Sequence, residues 1–200
     1  QPASRAKLRI GMIAPEFPPE IGGMHTLARG FAEALCADAH VSVFTPSGRP
    51  THPGSYEQKP TLTGSLRRDA STLAGEPVDV WLGMNAGLLP LMPRLPGARF
   101  VYVHGKDFLT PWVSYGPWWM EAFRRPHMPV LRKAIRRRVL VSYRDVPAQY
   151  FTNSRQTAAL AVERLGLAAE RLTVCPPGVD DHFFQTKGPS SSGRLRLITV

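Results

Sequence analysis

Two hundred residues with 43% hydrophobic and 20% charged side chains suffice for a buried core and exclude intrinsic disorder; the length predicts one full domain plus the start of another. Two cysteines, Cys36 and Cys175, exclude a disulfide framework and a cysteine metal cluster, and no apolar run reaches the roughly 18 residues that span a bilayer. The net charge of +10 favours phosphate-bearing partners, in nucleic acid, anionic lipid or a phosphorylated substrate.

Residues 8–14 (LRIGMIA) form an apolar run suited to a buried strand, and the loop PEFPPEIGG follows. Over residues 24–37, Leu27, Ala28, Phe31, Ala32 and Leu35 recur at helical spacing, which predicts an amphipathic helix packed on a sheet. A second strand at 41–45 (VSVFT) completes a βαβ unit, which makes the sheet parallel. Residues 46–60, rich in Pro, Gly, Ser and Thr, read as a mobile loop. Strands are expected at 79–84 (DVWLGM) and 99–104 (RFVYVH), ending at Asn85 and His104; the stretch between them is broken by Pro90 and Pro93. Residues 118–141 read as helical in one or two pieces around Pro126 and Pro129. A short strand at 149–152, a helix at 154–165 ended by Gly166, and a strand at 172–175 follow. Residues 187–193 read as a flexible linker between a domain at 1–186 and the first strand, 194–200, of a truncated second domain.

In open parallel sheets ligands gather at the carboxyl ends of the strands. Three segments fall there. Gly22 and Gly23 open the first helix. They admit two readings: close approach of backbone N–H groups to a phosphate, helped by the helix N-terminus, or a tight turn needing positive φ. They form neither a GxGxxG fingerprint nor a Walker A loop. HGKDF places His104 directly after a strand, where an imidazole would donate a hydrogen bond to a substrate hydroxyl or to developing charge, or serve only structure. Gly105 leaves the space open, and Lys106 and Asp107 either bind sugar hydroxyls or are solvated. CPPGVDDHF fixes a rigid turn through Pro177 and Gly178, with Asp180 able to cap the next segment. Asp180 and Asp181 are adjacent rather than spaced as metal ligands, so no metal is assigned.

The basic excess is local: from Arg124 to Arg144 the chain carries Arg124, Arg125, Arg132, Lys133, Arg136, Arg137, Arg138 and Arg144 and no acid until Asp145. Trp112, Tyr115, Trp118, Trp119 and Phe123 precede or join them. Cations beside aromatics suit contact with an anionic membrane surface; a solvated helix over a buried aromatic cluster is the alternative.

In order and spacing, LRIGMIAPEFPPEIGGMHTLARGFAEAL, YVHGKDF, YFTNSRQTAALAVERLG, LTVCPPGVDDHFF and LRLITV closely resemble the N-terminal, acceptor-side domain of family 4 retaining glycosyltransferases with a GT-B fold. The resemblance implies an α/β fold, a Rossmann-like parallel sheet flanked by helices, facing a C-terminal GT-B domain that holds the donor. It implies sugar transfer from a nucleotide-sugar donor to a glycan or lipid-linked acceptor, with no cofactor and no metal. His104 would be the catalytic residue, and Gly22, Gly23, Met24, His25, Asn85, Gly105 and Asp107 would bind substrate or diphosphate. Pro177, Gly178 and Asp180 would lead into the interdomain turn, while Trp118, Trp119, Arg124, Arg125, Arg132, Lys133, Arg136 and Arg137 would meet membrane. The expected location is cytoplasmic, peripheral on the inner face of the plasma membrane. The donor-side basic pair and paired glutamates of that family do not occur in these residues, so the 200 residues alone are expected not to catalyse transfer. Rival readings are a non-catalytic nucleotide or polyanion binder on the same fold, and an inverting transferase or epimerase with His25 cast as base. Against nucleic acid as partner, no RNP-like aromatic pattern or DNA-reading helix motif appears.

Overall fold

The structure, a computed structural model, describes residues 7–105, 134, 141 and 144–178. Apart from residues 134 and 141, the helical stretch expected at 118–141 lies outside the described residues, as do the linker at 187–193 and the strand at 194–200. In chain order the elements are β1 (Leu8–Ile13), α1 (Gly23–Leu35), β2 (Ala39–Pro46), β3 (Glu57–Leu62), α2 (Leu66–Ala74), β4 (Val80–Gly83), β5 (Ala98–Val103), β6 (Gln149–Thr152), α3 (Arg155–Leu165) and β7 (Leu172–Val174). Short 3-10 turns at Ala86–Leu88 and Met92–Arg94 occupy the proline-broken stretch between β4 and β5.

All seven strands run parallel, in the order β3-β2-β1-β4-β5-β6-β7. The near-continuous apolar runs of β1, β4 and β5 follow from this, because a parallel sheet is covered on both faces. Alternating side chains divide between two cores. Met12, Val43, Leu82 and Tyr102 face α1 through Ala28 and Ala32, whereas Ile13, Phe44, Trp81, Val101 and Tyr150 face α2, the 3-10 turns and α3. The small residues on the inner stripe of α1 let it sit close to the sheet. Ser154 caps α3 by accepting from the Thr157 amide at 3.1 Å. Gly166, at φ 69°, ends that helix in the left-handed conformation that its sequence position predicts.

The stretch read as a mobile loop is built otherwise. Residues 57–62 form β3 and, with Leu66–Ala74 as α2, extend the sheet by an edge strand. Pro60 masks it in the sequence, but an edge strand tolerates a proline because one side of its backbone needs no ladder donor. Lys59 beside it pairs with Glu76 at 2.7 Å, which raises the ammonium above its usual range. Residues 47–56 are fastened as well: Tyr56 packs edge-on to Phe17 at 5.3 Å, and the His52 amide donates to Gln58 Oε1 at 2.6 Å.

Asp69, 1% exposed, ties the turn between β3 and α2. It accepts from the Thr63 amide at 2.9 Å, the Thr63 hydroxyl at 2.6 Å and the Gly64 amide at 3.0 Å. Asp69→Ala strands these donors and empties a buried site, so unfolding in urea is expected to show a loss of about 2–3 kcal/mol; Asp69→Asn is expected to lose less.

Candidate functional site

Strand order reverses at β1, so the loops after β1 and β4 diverge and open a crevice at the carboxyl rim of the sheet. Gly22, in extended conformation (φ 172°, ψ 160°), caps α1, and Gly23 is its first residue. Neither has positive φ in the left-handed range, which overturns the tight-turn reading of the pair. Space explains Gly22 instead: a Cβ there would stand 2.8 Å from His25 Nδ1. Gly23 faces open space, since a Cβ added there would meet nothing within 4 Å. Gly23 is also exposed as a residue, at the helix end where an anion is favoured. Met24 is half-buried in the same turn.

His25 folds back over this turn. Its Nε2 lies 3.1 Å from Glu20 Oε2, and Glu20 also pairs with Arg49 from the loop after β2. His25 Nδ1 is buried with no hydrogen-bond partner. The Glu20 and Arg49 contacts were not legible in the sequence, because they join loops that only the fold brings together.

His104 follows β5 and is 8% exposed. Its Nε2 lies 3.1 Å from the Met84 carbonyl. A carbonyl only accepts, so Nε2 carries the proton and Nδ1 is the acceptor nitrogen of the neutral ring. Burial lowers its pKa, opposed by the Met84 carbonyl and by Glu16, so the ring is neutral at pH 7. The hydrogen-bond donor expected for substrate is thus committed to the main chain. Asn85 follows Met84 directly, and its Oδ1 is buried without a partner. One carbonyl therefore joins two of the singled-out residues, His104 and Asn85, at the rim.

Gly105 lies next to α3, where a Cβ would stand 3.6 Å from Thr157 Oγ1. Pro177 and Gly178 share a cleft of about 660 Å³ with Gly23, Thr26, Leu27 and Phe31 of α1. Ile21, immediately before the glycines, is 100% exposed. Asp107, Asp180 and the residues Trp118, Trp119, Arg124, Arg125, Arg132, Lys133, Arg136 and Arg137 lie outside the described residues. Among the described residues, no three His, Cys, Asp or Glu side chains group as metal ligands, and no helix is long and apolar enough to cross a membrane.

The lowered His104 pKa makes stability depend on pH. Above about pH 6.5, the usual histidine value, the ring is neutral folded or unfolded and its contribution is complete. As pH falls below that value the unfolded chain binds the proton first, and stability drops until the folded pKa is passed. Urea midpoints measured from pH 7.5 to 5 are expected to fall less steeply in His104→Gln than in the wild type.

Comparison with known proteins agrees with this architecture. The family model described as Glycosyltransferase Family 4 matches residues 21–183. No curated protein matches in sequence. Among solved structures, HepE from Anabaena in complex with UDP-glucose is 16% identical, with a TM-score of 0.55 over 90% of this chain and 47% of that one. WaaG, a glycosyltransferase involved in lipopolysaccharide biosynthesis, is also 16% identical, with a TM-score of 0.51 over 86% of this chain and 45% of that one. The chain spans about half the length of these structures, and shares their fold. With 163 of its 200 residues inside the family match (183 − 21 + 1), the chain belongs to Glycosyltransferase Family 4.

Proposed function

We propose that the protein is a retaining glycosyltransferase in which this chain supplies the acceptor-side half, moving a sugar from a nucleotide-sugar donor to a glycan or lipid-linked acceptor. Family membership supports transfer of a sugar. The UDP-glucose of the HepE complex favours a UDP-hexose as donor. The observation that supports the reading is the rim itself: an unpartnered Asn85 oxygen, His104 and the first turn of α1 follow the carboxyl ends of the neighbouring strands β4, β5 and β1, where the strand order reverses.

Each group has a chemical role there. Asn85 Oδ1 accepts from a sugar hydroxyl and so loses its desolvation penalty only when ligand is bound. His104 orients the transferred ring; its Nε2–H, fixed on the Met84 carbonyl, sets the plane of the imidazole. The exposed amides at Gly23 and the partial positive charge of α1 face the diphosphate or the acceptor. Ile21, wholly exposed, contributes nothing to the core and is available to an apolar part of the acceptor. The basic and aromatic residues between Trp112 and Arg144 would bring the protein to anionic lipid, where a lipid-linked acceptor resides.

Assays of the full-length protein with UDP-sugars, read by NMR of the product anomer, test the reading: retention is expected, and inversion or no transfer contradicts it. His104→Ala is expected to lower kcat by about 10²-fold or more, as misplacement of reacting groups does, and also to lower Tm, because the buried ring and its bond to the Met84 carbonyl are lost. Ile21→Ser is expected to leave Tm unchanged because the side chain buries nothing; a raised acceptor KM places it on the acceptor path, and unchanged kinetics remove it from there. Flotation with vesicles rich in anionic lipid is expected to carry the protein at low salt, and failure to float removes the membrane part alone.

A further inference from the structure

We infer that Tyr102 is a positioning residue, its ring backing His104 and its hydroxyl tethering the segment by which the chain leaves the sheet at Cys175. The inference rests on the transferase reading for its catalytic consequence, but the tether itself is independent of it.

Tyr102 lies on β5 with a fully buried side chain. It is two residues from His104, on the same face of the sheet. The two rings lie 4.7 Å apart at 38°, and the Tyr102 ring also meets Phe31 of α1 edge-on at 5.3 Å. A phenylalanine would satisfy both contacts. The hydroxyl does something a phenylalanine could not, donating to the Cys175 carbonyl at 2.7 Å, a contact across 73 residues of sequence. Burial pushes this phenol up to about 12, so it remains a donor at any working pH.

The tether falls where the backbone has little else. β7 ends at Val174, and the Cys175 amide donates to the Thr152 carbonyl at 2.7 Å. The next two residues, Pro176 and Pro177, have no N–H to donate. Cys175 is therefore the last main-chain anchor before the exposed Pro176, Pro177 and Gly178. These three form one wall of the cleft whose other wall is α1. Tyr102 touches Phe31 of one wall, the Cys175 carbonyl immediately before the other, and His104 as well. The point at Cys175 where the chain leaves the sheet is thus referenced to the imidazole by one side chain.

Tyr102→Phe in the full-length protein tests this, because it keeps the ring and deletes the tether. Hydrogen exchange in the peptide covering residues 172–178 is expected to quicken, and the His104 ring signal in histidine-labelled NMR to shift. With a UDP-sugar, kcat is expected to fall about tenfold or more, as small misplacements of reacting groups do. The donor KM is expected to stay within about twofold, since uniform binding is untouched. Unchanged exchange overturns the tether; an unmoved His104 signal, or an unchanged kcat with quickened exchange, overturns the positioning role. If the wild type transfers no sugar, the functional reading fails on that result, while exchange and the His104 signal still decide the inference.

Discussion

Parallel pairing of all seven strands governs everything else in this molecule. It sends every strand's carboxyl end to one rim, so that the polar residue following each apolar run arrives at a common edge. The reversal of order at β1 then parts the loops after β1 and β4, and the gap they leave is the crevice in which open α/β sheets bind ligands. The same geometry requires both faces to be covered, and the separation of Met12 from Ile13, or of Tyr102 from Val101, into different cores is its direct result.

At the rim, burial and hydrogen bonding together fix the chemistry of His104. Desolvation favours the neutral ring, and the Met84 carbonyl selects the nitrogen that keeps the proton. Together they fix both the charge and the tautomer of the ring. Beside it, Asn85 leaves an oxygen buried and unpaired, one of several such atoms among the described residues. The opening turn of α1 is shaped by the same economy of space: Gly22 yields room to the His25 ring, and Glu20 fastens that ring to Arg49 on the next loop. The loops after β1 and β2 thereby form a single wall, which Phe17 and Tyr56 reinforce from beneath.

Much of this was legible in the sequence, wherever one residue's position sufficed to predict its setting. Apolar runs gave β1, β4 and β5, the helical spacing of Leu27, Ala28, Phe31, Ala32 and Leu35 gave α1, and Gly166 marked the end of α3. What escaped depended on neighbours. β3 carries Lys59 and Pro60 because it is an edge strand, and being an edge is a property of the sheet, not of the segment. α2, with Arg67, Arg68 and Asp69 in its first turn, buries its carboxylate to organise the preceding loop, and a buried charge resembles a solvated one in a sequence. In the site, His104 and Asn85 could be located from the ends of strands, whereas the proton arrangement of His104 required the carbonyl of Met84, twenty residues away. Gly22 shows the opposite lesson: its position was legible, but the reason for it was not, since steric room for His25 is invisible without coordinates.

The most direct measurement is a crystal structure of the full-length protein with an intact nucleotide-sugar and an acceptor analogue. The account predicts a sugar hydroxyl within about 3 Å of Asn85 Oδ1, the range of a hydrogen bond, and the same sugar ring packed beside His104. A sugar bound at the opposite, amino-terminal edge of the strands, with Asn85 and His104 untouched, would contradict it.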